Sequence, residues 1–112
     1  MLSPAIYDKY KNVKKNYYPN KKYSIAFICV DTPKNEKSLC DTTEVKNAIM
    51  ENNADIFVLK STILPGTVDK LCEETGKKVI FSPEYYGETQ HCNNFTFDYT
   101  ILGGDKVACR KV

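Results

Sequence analysis

Three short stretches of this chain carry the side chains with chemistry in them, and each stands just after an apolar run. Asp31, Thr32 and Pro33 follow the run Ile25 to Val30 (IAFICV). Lys60, Ser61 and Thr62 follow IFVL, and Ser82, Pro83 and Glu84 follow VIF, with Glu88 four residues on. A carboxylate beside an ordered water is what a hydrolytic step needs, and a hydroxyl such as that of Thr62 orients such a water. The same residues also suit strand exits: proline cannot extend a ladder, Ser and Thr are ordinary turn residues, and Glu84 after Pro83 is a credible cap. Three exits of one design, one of them bearing a carboxylate, keep both readings open.

The elements that must position these groups are legible from pattern. Ile56 to Leu59, inside DIFVLKSTILPG, has no polar face and reads as a strand covered on both sides, the habit of parallel sheets. With Ile25 to Val30 and Val79 to Phe81 it makes three such strands. Between them, Asp41 and Glu44 resemble a capping box before a helix with a Val45, Ala48, Ile49 stripe. Thr67 is placed to cap a second helix (Val68, Leu71, Cys72) that Gly76 stops. The order β, α, β, α, β is half of a doubly wound α/β fold, whose ligand crevice lies at the carboxyl ends of the strands. Thr32, Ser61, Thr62, Ser82 and Glu84 are therefore expected on one rim.

The flanks read differently. Ser3 and Pro4 start a helix, and Ile6, Tyr10, Val13 and Tyr17 recur at helical steps, so an amphipathic helix is expected to about Tyr17. Tyr85 to Asp98 suits a substrate-facing loop. Tyr99 to Leu102 reads as a short strand ending at Gly103 and Gly104. Asp105 to Val112 begins a helix that stops after about two turns, short for a helix on its own. One partial domain over 1–112 results, with a lead-in at 1–23, a β/α core at 24–104 and a cut helix at 105–112.

Composition narrows the classes. At 112 residues the chain holds one domain, small for an α/β enzyme with cofactor and substrate to accommodate. Six lysines fall between Lys9 and Lys22, but Arg110 is the one arginine, and a solvated face rather than a nucleic-acid surface is expected. The five cysteines include no CxxC pair, so neither a disulfide framework nor a metal site is expected, and Cys29 and Cys72 read as small hydrophobes on apolar faces. No long apolar segment suggests a membrane span or signal peptide, and a cytoplasmic setting fits.

The motifs VDTP at Val30 to Pro33, KSTxxPGT at Lys60 to Thr67, SPExxxE at Ser82 to Glu88 and ILGG at Ile101 to Gly104 occur in this order. Together they resemble the UDP-glucose and GDP-mannose dehydrogenases, which oxidise a nucleotide sugar to a uronic acid in two NAD-dependent steps through a thiohemiacetal on a cysteine. The resemblance implies a partial Rossmann-like domain with NAD as cofactor and UDP-glucose or a related nucleotide sugar as partner. Val30, Thr32, Pro33, Ser61, Thr62 and Glu88 would contact the cofactor. Thr62 and Glu84 would be the catalytic pair, Thr62 holding a water and Glu84 serving as base. Glu84, Tyr85, Tyr86, Gly87 and Glu88 would follow the substrate. The family's GxGYVG turn and its GGxCxxKD cysteine are not found here, so the chain is expected to be inactive alone.

Two other classes stay in view. A non-enzymatic nucleotide-binding or interaction module would use the same scaffold, with the IAFICV strand as an exposed edge that recruits a second copy or a complementing chain. A serine hydrolase built on Ser61 lacks an acid partner for His91, the one histidine.

Overall fold

The computed structural model describes residues 4–84 and 99–112. Its centre is β4 (Ala54–Leu59), flanked in parallel by β3 (Tyr23–Ile28) and β5 (Val79–Phe81), in the order β3-β4-β5. Only Asp55 of β4 reaches solvent, and Phe57, Val58 and Leu59 are fully buried. Such a strand has no solvated face, so the sheet must be covered on both sides.

On one side lie α1 (Thr43–Glu51) and α2 (Thr67–Thr75). Val45 and Ile49, one turn apart, bury completely against Ile28, Phe57 and Leu59, and Leu71 of α2 joins the same cluster. On the other side Ile56, Val58 and Ile80 meet Ala108 of α3 (Lys106–Cys109), with Leu102 and Ile25 at the margin. This cover is thinner, and Phe27 on β3 stays 60% exposed.

The sequence reading meets the structure in the three parallel strands, in the helices between them and in Gly76, whose left-handed backbone (φ 65°) ends α2 with its amide donating to the Cys72 carbonyl. It fails at the N-terminus. A two-stranded antiparallel hairpin, β1 (Ile6–Asp8) and β2 (Val13–Lys15), stands where a helix was expected. The Asp8 carboxylate accepts from the amides of Tyr10 and Lys11, and Asn12 (φ 51°) takes the left-handed turn. Short polar side chains that bond neighbouring amides offer the chain an alternative to helix, and four apolar matches did not outweigh them. Tyr17 then stacks on Tyr7 at 4.7 Å and on Tyr23 at 6.2 Å, while Ile6, Tyr10 and Val13, the supposed buried stripe, stay exposed.

Smaller departures have local causes. Residues 99–102 form no strand; Gly103 alone pairs with Phe81, antiparallel, through two 2.8 Å bonds. Asp41 bonds the amide and hydroxyl of Thr43 instead of forming a capping box with Glu44, and Gly66, not Thr67, precedes α2 as its N-cap. β3 ends at Ile28, so Cys29 leaves the sheet and is exposed instead of packing as a hydrophobe. Cys72 is partly buried beside α2's core face as expected. Among the described residues no helix is long and apolar enough to cross a membrane.

Two predictions follow from packing and charge. At Gly104 the backbone has φ 135°, and a Cβ would meet Ile80 at 3.1 Å, its backbone at 3.3 Å. Gly104→Ala is expected to lower unfolding free energy by about 1–3 kcal/mol in urea titration. Hydrogen bonds from Thr43 to Asp41, from Lys22 to Asp55 and from Lys46 to Glu74 hold these carboxyls below their ordinary values of 3.8, 3.8 and 4.5. Groups depressed in the folded state stabilise it above those ordinary values and lose that contribution as pH falls through the folded ones. The melting temperature should hold from neutral pH down to about pH 5 and decline below about pH 4; a flat profile to pH 3 contradicts the pairings.

Candidate functional site

The register decides where the polar exits meet. Ile28 pairs with Leu59 and Leu59 with Phe81, so the three strands end level. Past that line the chain can no longer add to the ladder, and its polar groups turn to one another. The Ser61 hydroxyl donates to the Val30 carbonyl at 2.6 Å, and the Thr32 hydroxyl to the Thr62 carbonyl at 2.6 Å. The Lys60 amide donates to the Ile28 carbonyl at 2.8 Å, and the Ser82 amide to the Leu59 carbonyl at 3.0 Å. Hydroxyls thus replace the strand ladder just where it runs out.

A cleft of about 480 Å³ opens over these exits. Cys29, Val30, Asp31 and Thr32 line one side, Lys60, Ser61 and Thr62 the floor, and Glu84 the far side. Of the residues singled out from sequence, Val30, Thr32, Ser61, Thr62 and Glu84 come together here. Pro33 does not; it is exposed outside the cleft, where its carbonyl accepts from the Asp41 amide. Tyr85, Tyr86, Gly87 and Glu88 lie outside the described residues. A second cleft, about 400 Å³ between α1 and α2, is lined by Thr42, Lys46, Lys70 and Glu74, where Glu74 pairs with Lys46 at 2.9 Å and with Lys70 at 3.8 Å.

From sequence, Lys60 stands at a strand exit with no role in the site, and Cys29 reads as a small hydrophobe; both line the cleft. The Lys60 ammonium lies 2.5 Å from the Glu84 carboxylate and 3.1 Å from the Ser82 hydroxyl. A signal was there: a lysine directly after the apolar run Ile56 to Leu59 stands at the strand's mouth, where a carboxylate can pair with it. Cys29 sits in the same field, where burial pushes its thiol up from the ordinary 9.0, Lys60 pulls it down and Glu84 pushes it up. Among the described residues nothing bonds the Thr62 hydroxyl, which faces solvent.

A parallel sheet with helices on both faces and a hydroxyl-rich crevice at its carboxyl edge defines a class, the partial Rossmann-like nucleotide-binding domain. The pattern described as UDP-glucose/GDP-mannose dehydrogenase family, NAD binding domain, matches residues 7–112, and the chain belongs to that family. The structure is similar to a UDP-glucose dehydrogenase from the hyperthermophilic archaeon Pyrobaculum islandicum, with TM-score 0.59 and 25% identity over 79% of this chain. It shares its fold with a GDP-mannose dehydrogenase from Pseudomonas aeruginosa, with TM-score 0.58 and 24% identity, again over 79% of this chain. The chain spans about a quarter of each, 24% and 25% of their lengths. No curated protein matches it.

NAD is the cofactor of this domain family. The donor set of the crevice fits one end of it: Thr32 and Ser61 have spent their protons on backbone carbonyls and keep oxygen lone pairs to accept with, while the Thr62 hydroxyl can donate. Ser61→Ala tests the construction. Ser61 is 7% exposed and its loss leaves the Val30 carbonyl without that donor, so unfolding free energy is expected to fall by about 1–2 kcal/mol in urea titration.

Proposed function

We propose that this chain is one part of the NAD domain of a nucleotide-sugar 6-dehydrogenase, acting on UDP-glucose or a related nucleotide sugar and without turnover when alone. The observation that carries this reading is the meeting of Thr32, Ser61, Thr62 and Glu84 in one cleft at the ends of three parallel strands. Bound NAD would supply the hydride acceptor. Val30, Thr32 and Ser61 would bind and orient it, Thr62 would hold a water by its hydroxyl, and Glu84 would take that water's proton when a thioester is hydrolysed. Glu88 would touch both cofactor and substrate, and Tyr85, Tyr86 and Gly87 would follow the sugar nucleotide. The whole of 1–112 acts as a single partial domain in this account, its core at 24–104, and the pyrophosphate-binding turn and the thiol come from outside these residues. A cytoplasmic setting belongs to the same proposal and agrees with the four free cysteines among the described residues.

A second reading has its own observation. Among the described residues β3 is an edge strand, without proline or charge between Tyr23 and Ile28, and Phe27 on it is 60% exposed. Edges left so unprotected recruit other strands. A homodimer or a complementing chain joined there would make the chain an interaction module, with or without turnover.

Calorimetric titration separates the two. NAD is expected to bind weakly, with Kd on the order of 1 mM or about −4 kcal/mol, and Thr62→Ala to weaken binding by about fivefold. Heat from neither NAD nor UDP-glucose would overturn the cofactor reading. Light scattering behind size exclusion should give a dimer that Phe27→Lys dissociates; a monomer at millimolar concentration would overturn the edge reading.

A further inference from the structure

We propose that Lys60 is the positioning residue of the crevice: its ammonium, seated on the Ser82 hydroxyl, holds the Glu84 carboxylate over the cleft. The inference rests on the reading that Glu84 is the carboxylate presented to the ligand.

Geometry carries it. Lys60 is the first residue past the buried run of β4, so its stem leaves from the middle of the sheet, and its backbone amide is pinned to the Ile28 carbonyl of β3. The Ser82 hydroxyl 3.1 Å away belongs to a residue only 2% exposed, past the end of β5. One residue thus joins all three strand ends, by its amide to β3, its place in the chain to β4 and its ammonium to the exit of β5. The ammonium side chain is 21% exposed, and the carboxylate it holds is 46% exposed. A carboxylate that open would otherwise turn to water, since an ordinary surface pair has little energy with which to fix a flexible glutamate. A lysine already seated on a buried hydroxyl has lost much of its own freedom beforehand and so pairs at lower entropic cost. Among the described residues, two of the ammonium's three donors are engaged, by Ser82 and Glu84.

Cys29 is a built-in reporter of this arrangement. It lines the same cleft and feels Lys60 and Glu84 with opposite sign; Asp31 is the other ionisable group on the lining. If Lys60 holds Glu84 in place, neutralising Glu84 matters to Cys29 only while the lysine is present. A lysine that merely stabilised the fold would leave no such dependence.

The test is the alkylation rate of Cys29 by iodoacetamide, read on its own peptide by mass spectrometry from pH 7 to 10. Glu84→Gln should speed alkylation about twofold at pH 8 by removing a neighbouring negative charge from a thiol that reacts as thiolate. In the Lys60→Met background the same change should have no effect, because the released carboxylate already points to water, and Lys60→Arg should restore the effect. An equal response to Glu84→Gln with and without the lysine overturns the proposal. Should Lys60→Met fail to fold, Ser82→Ala takes its place: a diminished Glu84→Gln response supports the seat, and an unchanged one counts against it. NAD calorimetry on the unsubstituted chain runs beside these measurements. Absent heat there would tell against the cofactor reading, while the thiol coupling judges Lys60 independently.

Discussion

Ile28, Leu59 and Phe81 stand side by side across three parallel strands, and the position of every polar group in the crevice descends from that alignment. Parallel pairing is the only arrangement that sends all three exits to one edge; an antiparallel partner would send its exit to the opposite end. The burial of β4 on both faces enforces the register, since a slip of one residue would exchange the sets of side chains that meet α1 and α2 on one side and α3 on the other.

At that edge the conformational and chemical roles of the hydroxyl residues coincide. Ser61 and Thr32 tie the β3 and β4 exits together through backbone carbonyls, taking over where the ladder stops. The bonds that end the strands in this way also fix the walls of the cleft, so a ligand would find them already in place and its binding would spend less on ordering. Lys60 extends the same logic to β5 by bridging Ser82 and Glu84.

Away from the crevice the cover thins. Among the described residues, α1 and α2 cover one face, whereas the other rests on the four helical residues of α3 and leaves Phe27 60% exposed on the edge strand β3. The N-terminal hairpin lies against the start of β3 and the end of α1, where Tyr17 bonds Asn52 and stacks on Tyr23. That is the end of the sheet remote from the strand exits. The family match over residues 7–112 takes in all of this hairpin but Ile6, as well as the β/α core.

How much was legible follows from how local each signal is. The unbroken apolar run of β4, the Val45 and Ile49 pair, the glycine after α2 and the hydroxyl and carboxylate exits announce themselves within a few residues, because burial on both faces and strand termination act on adjacent side chains. Three of the four family motifs lie at those exits; the fourth, ILGG, lies at Ile101 to Gly104. The hairpin was not legible, since Ile6, Tyr10, Val13 and Tyr17 fit a helical period while its real determinants are a turn closed by Asp8 and a tyrosine stack that reaches Tyr23. Only the tertiary structure decided that Pro33 lies outside the cleft, that Cys29 faces into it and that Lys60 pairs with Glu84 across 24 positions of sequence. Each depends on which strand ends stand next to which, and that is a property of strand pairing that no single stretch of the chain contains.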